Sequence, residues 1–193
     1  PHYGIPAAFD VLGGNKGLVV TLEDSVFKES DEGRFSANID EWSVGKIKRL
    51  GGDAVKVLAW YRPDASPKNV AFQKDYVKRI GDECACFDIP FLLELLLYPL
   101  AGEKASSRGY IEMRAKASDQ VLASVEEFAR PEYGVDMFKL ESPLNADAID
   151  GSSNVQALFD EMGRLAGRPW VMLSAGAGKD SFLDILSHAF KAG

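Results

Sequence analysis

The chain has 193 residues, is 46% hydrophobic and carries a net charge of −7, which suits one globular core and speaks against charge-driven binding of nucleic acid. Its longest apolar run, IPFLLELLLYPLAG, is too short to span a membrane and contains Glu94; no signal peptide is expected at the N-terminus. Cys84 and Cys86 are separated by one residue, and His2 and His188 lie near opposite ends, so no metal cluster or cofactor is implied, and reduced thiols suit the cytoplasm.

In chain order, GLVVTL, ending at Leu22, reads as a first buried strand. The acidic stretch KESDEGRFSANIDE follows as a loop, and SVGKIKRLGG as a short helix. DAVKVLAW, ending at Trp60, is the second strand. SPKNVAFQKDYVKRIGDE then opens on Ser-Pro and sets Val70, Tyr76, Val77 and Ile80 at near-helical spacing. IPFLLELLLY, ending at Tyr98, is the third strand, and SDQVLASVEEFAR a helix with Ser118 as its cap. VDMFKLE, ending at Glu141, precedes the helix SSNVQALFDEMGRLAG; PWVMLS, ending at Ser174, precedes the helix KDSFLDILSHAFKAG.

From Val19 through Val55, Phe91 and Met137 to Met172 the intervals are 36, 36, 46 and 35 residues, each about one strand and one returning helix. Apolar strands alternating with helices predict an α/β fold with a parallel sheet, in a single domain over residues 1–193. The sheet could be open and doubly wound or part of a (βα)8 TIM barrel. Polar residues within or ending the strands (Lys56, Glu94, Lys139, Glu141, Ser174) favour the barrel, where many strands aim side chains at one mouth. Five units do not close it.

LSAGAGKDS, residues 173–181, invites comparison with a nucleotide-binding loop. Counting back from Gly178-Lys179 places Leu173 at the first Walker glycine, and Asp180 takes the Ser/Thr position, so the motif fails twice. Two readings remain: a strand-end phosphate cup in which Ala175, Gly176 and Ala177 let the backbone approach an anion, or a plain glycine-rich turn. In the first, Asp180 caps the following helix.

Lys139 stands among apolar residues, where an unpaired ammonium is costly; it must be paired or partly neutral, and a neutral lysine condenses with ketones to an imine. Lys56 repeats the pattern, and a second cation nearby would favour the neutral amine. Glu94 interrupts FLLELLL, and Glu141, two residues past Lys139, is expected on the same strand face. Each also has a structural explanation: strand-end lysines reach solvent, and core carboxylates neutralise lysines.

DAVKVLAWYRPD, IPFLLELLLYP, GVDMFKLESP and PWVMLSAG together resemble the tagatose-1,6-bisphosphate aldolase family, metal-free class I aldolases on a (βα)8 barrel; sulfofructose-phosphate aldolases share the pattern. The resemblance covers nearly the whole chain and implies that it carries about strands three to seven, as an internal portion of a longer enzyme that opens near the end of strand two. It makes Lys139 the Schiff-base lysine, Lys56 its strand-four companion and Glu94 a proton carrier. Ser174 and the Gly176 backbone would bind the substrate's anionic end, with Glu23 and Asp24 near the mouth. The implied substrate is a small sugar phosphate; neither nucleic acid nor membrane is an expected partner, and a homo-oligomer is left open. The alternatives are a non-catalytic sugar-phosphate binder, or an isomerase or decarboxylase on a similar barrel.

Overall fold

A computed structural model describes residues 4–100, 103, 118–174 and 176–193. The first described element is a helix, α1 (Gly4–Val11), rather than the end of a strand. Strand β1 (Val19–Thr21) follows, and then the hairpin β2 (Lys28–Ser30) and β3 (Gly33–Phe35). The remaining chain alternates: α2 (Val44–Leu50), β4 (Ala54–Trp60), α3 (Pro67–Cys86), β5 (Phe91–Leu96) and α4 (Ser118–Phe128). It continues with β6 (Met137–Leu140), α5 (Ser153–Ala166), β7 (Trp170–Met172) and α6 (Lys179–Lys191).

Local chemistry accounts for the helix starts. The hydroxyls of Ser43, Ser66 and Ser152 each accept from a backbone N–H three residues on, and Pro67 fills the first position of α3, where no N–H is needed. The stretch expected as an acidic loop instead forms the antiparallel hairpin, pairing Lys28 with Phe35 and Ser30 with Gly33. Its apolar residues are too sparse for a period of two to show, yet Phe35 packs edge-on against Phe72 of α3, with ring centroids 5.0 Å apart.

The five long-range strands form one sheet in the order β1-β4-β5-β6-β7, and every pairing in it is parallel. Alternation divides its side chains cleanly. Val55, Val57, Phe91, Leu93, Phe138 and Leu140 are buried in the main core with Val77, Ile80, Phe128, Phe159 and Met162 of the helices. On the other face Leu58, Trp60, Leu96 and Tyr98 form a second apolar cluster, with Phe27 and Leu173 packed against it. Lys56, Glu94 and Lys139 belong to this second face. Glu94 is in register with Leu58 on one side and Lys139 on the other.

Candidate active site

Burial of the opposite face against the helices fixes which way the polar residues of the strands can point, and the parallel register then brings three of them together. Glu94 is buried and bridges two lysines: its Oε1 lies 3.0 Å from Lys139 Nζ. Its Oε2 lies 2.8 Å from Lys56 Nζ in an ion pair. Lys56 in turn donates to Glu23 Oε1. Positive and negative charges thus alternate along a string from Lys139 through Glu94 and Lys56 to Glu23. The side chains of Lys139 and Lys56 are 33% and 18% exposed against 2% for Glu94, so a ligand reaches the amines before the carboxylate between them.

Burial pushes the Lys56 ammonium towards losing its proton, but Glu23 and Glu94 outweigh it and hold the group above the ordinary lysine range. Lys56 is therefore a lasting cation. Glu94 stands between Lys56 and Lys139, in contact with both amines.

The other expected residues are placed differently. Asp24 turns into its own loop, where Oδ1 accepts from Val26 N at 3.0 Å; its neighbour Glu23 takes the place beside Lys56. Glu141 is not on the Lys139 face. Strand β6 ends at Leu140, alternation lapses, and the Glu141 carboxylate accepts from Leu97 N at 2.7 Å in a small cleft lined by Val121, Ser124 and Val125. Ser174 and Gly176 lie just past the C-terminal end of β7, beside the strand that carries Lys139, and both are exposed. The turn is closed by Ala177 N donating to Ser174 O at 2.8 Å, and Gly176 has φ +80°. Ala175 lies outside the described residues, as does His2. Asp180 is in the first turn of α6, whereas the cap position is Gly178, without a side-chain cap bond.

Two arginines were not singled out from sequence, Arg34 in the middle of β3 and Arg62 two residues past the end of β4. The Arg34 guanidinium sits 4.1 Å from the ring centroid of Phe27 and 4.5 Å from that of Trp60. Arg62 binds Asp64 and Glu103 through paired hydrogen bonds and donates to Tyr98 O at 2.9 Å. Its only sequence signal is a charge placed directly after the apolar run VLAWY. Among the described residues no group of three or more His, Cys, Asp or Glu could hold a metal ion, and no helix is long and apolar enough to cross a membrane.

The family description that matches, over residues 5–193, is DeoC/LacD family aldolase. The chain belongs to this family. Among curated members of similar sequence, tagatose 1,6-diphosphate aldolase 1 of Enterococcus faecalis is 32% identical over 201 residues, covering 100% of this chain and 61% of that protein. Tagatose 1,6-diphosphate aldolase of Streptococcus agalactiae is 34% identical over 202 residues, again covering 100% and 61%. The chain thus spans about three fifths of the length of these DeoC/LacD relatives. Similar folds include an archaeal fructose-1,6-bisphosphate aldolase solved with its catalytic lysine bound to a carbinolamine intermediate, at TM-score 0.66 and 17% identity, covering 98% of this chain and 65% of that one. A fructose-bisphosphate aldolase from Slackia heliotrinireducens gives TM-score 0.65 at 13% identity, covering 97% and 55%. The α/β architecture is that of a TIM barrel, of which the five parallel strands form a contiguous sector.

Proposed function

We propose that this chain carries the reaction centre of a Schiff-base aldolase that cleaves a ketohexose bisphosphate, tagatose 1,6-bisphosphate being the first candidate. The observation that carries the reading is the contact of one buried carboxylate, Glu94, with two partly exposed strand lysines. The names of the family and of its curated members support the reaction class.

In this reading the neutral Lys139 amine attacks the C2 ketone to form a carbinolamine, and loss of water gives a protonated imine. Glu94, directly or through a water, takes the proton of the C4 hydroxyl. The C3–C4 bond breaks, its electron pair flows into the imine to give an enamine, and glyceraldehyde 3-phosphate departs. The proton held by Glu94 returns to C3, and water hydrolyses the imine to release dihydroxyacetone phosphate and the free amine. Lys56, kept cationic by its two carboxylates, fits a hydrogen-bonding role towards substrate oxygens. Ser174 and the backbone around Gly176 would take one phosphate on the β7 side.

Borohydride reduction in the presence of tagatose 1,6-bisphosphate, fructose 1,6-bisphosphate or sulfofructose 1-phosphate tests this directly. Reduction should inactivate the protein and add the substrate-derived mass to the peptide containing Lys139, and Lys139→Met should abolish both effects. Activity should survive EDTA in full. Loss on chelation with return on adding zinc, or no adduct with any of the ketoses, would overturn the assignment.

A further inference from the structure

The alternating string of charges ends at Glu23, a residue for which the cleavage chemistry has no direct use. Glu23 lies two positions past Thr21, and Thr21 is the register partner of Lys56 across β1 and β4. Its carboxylate is fixed on both oxygens: Thr21 Oγ1 donates to Oε2 at 2.6 Å, and Lys56 donates to Oε1. Its backbone bridges that of Asn38, and the Thr21 carbonyl accepts from Trp42 Nε1 at 3.0 Å, so the segment is tied down on two sides. At 7% exposure, a carboxylate held this way is an expensive feature unless it serves the cation beside it.

We propose that Glu23 is a positioning residue, anchoring the Lys56 ammonium so that Glu94 keeps one oxygen free for Lys139. The inference rests on the reading of Lys139 as the imine-forming lysine. Two lysines facing two glutamates leave each Glu94 oxygen with one lysine. Without Glu23, Lys56 has Glu94 as its remaining carboxylate, draws it away from Lys139, and keeps its burial cost with less compensation. The charged groups concerned are Glu23 beside β1, Glu94 on β5 and, across Glu94, Lys139 on β6. The Tyr76 hydroxyl of α3 also senses Glu23 while bonding to Asn38. Removing Glu23 makes Lys56 lose its proton at lower pH, so the alkaline limb of the rate profile should move down.

The test is Glu23→Gln, with Glu23→Asp as the conservative variant, assayed for kcat and KM across pH and for borohydride trapping. Glu23→Gln should lower kcat about 10- to 100-fold with KM changed less than about threefold. It should also move the alkaline limb to lower pH, and Glu23→Asp should restore the limb towards wild type. Thr21→Val should share the kcat loss in weaker form, and Thr21→Ser should restore it. An unchanged profile with unchanged kcat would overturn the proposal, as would a kcat loss with the limb in place and a lowered melting temperature, which marks a structural role. The two readings fail separately. No trapped imine in the wild-type protein sinks the Schiff-base reading, whereas trapping at Lys139 with a wild-type-like Glu23→Gln sinks only the positioning role.

Discussion

Gly176 lies in the loop after β7 and Lys179, three residues on, begins α6; both are exposed, yet only one of them should matter for an anion. Gly176 has φ +80°, and a Cβ there would meet nothing within 4 Å. A side chain at this position is therefore penalised by backbone conformation rather than by crowding, and a β-branched one most of all. Gly176→Val should refold the turn and raise KM for phosphorylated ketoses about tenfold, while unphosphorylated analogues change little. Lys179 begins α6 with its side chain in solvent, so Lys179→Ala should leave both unchanged. Equilibrium binding of the paired sugars checks this, and a loss of binding with Lys179→Ala would restore a Walker-like role for the loop. At this scale the sequence showed which charges were anomalous, because Lys56, Glu94 and Lys139 each interrupt an apolar strand. It could not show the bridging, which depends on register across three strands. The choice of Glu23 over Asp24 was readable, because alternation carried past β1 buries Leu22 in the core and leaves Glu23 with Thr21 on the Lys56 face. Glu141 was misplaced because β6 ends at Leu140 and alternation lapses there.

Helix α3 packs tightly against the turn Pro131–Tyr133, and glycine permits it. A Cβ on Gly81 would lie 2.0 Å from the carbonyl oxygen of Tyr133, which is backbone and cannot swing aside. Around this contact Glu127 of α4 accepts from the Tyr133 hydroxyl and pairs with Lys74 of α3 at 3.0 Å, so three elements are locked at one point. Gly81→Ala should force α3 away from the turn and cost about 1–3 kcal/mol. Denaturant unfolding reads that cost; a change below about 0.5 kcal/mol would show that the approach relaxes freely. The helices themselves were legible because their Ser caps, Pro67 and terminal glycines are local signals. The hairpin of β2 and β3 was not. Its pairing is held from outside, by the Asn69 and Gln73 amides donating to Arg34 O at 2.6 and 2.8 Å, and by the Arg34 side chain among Phe27, Trp60 and Tyr98.

Across the whole molecule the sheet is packed unequally on its two faces, and this asymmetry can be measured. On the helix side Val20 and Phe138 are 3% and 0% exposed. On the side that carries the lysines, Val19 beside Val20 and Met137 beside Phe138 are 51% and 36% exposed, and Val171 of β7 is 45% exposed. Side-chain alternation puts these three on one face with Lys56 and Lys139, towards the N-terminal edge of the second apolar cluster. Polar replacement there removes little buried area. Val171→Thr and Met137→Gln should each cost less than about 0.5 kcal/mol, a shift of roughly 2 °C or less in Tm for a chain of this size. Phe138→Ala, on the packed face one residue away from Met137, should cost about 3–5 kcal/mol through lost burial and the cavity left behind. Met137 and Phe138 are neighbours in β6 and Val171 lies in the adjacent β7, so differences in β-propensity are small beside the expected gap. Thermal unfolding of the three variants decides it: a cost for Val171→Thr approaching that of Phe138→Ala would mean that further protein covers the lysine face.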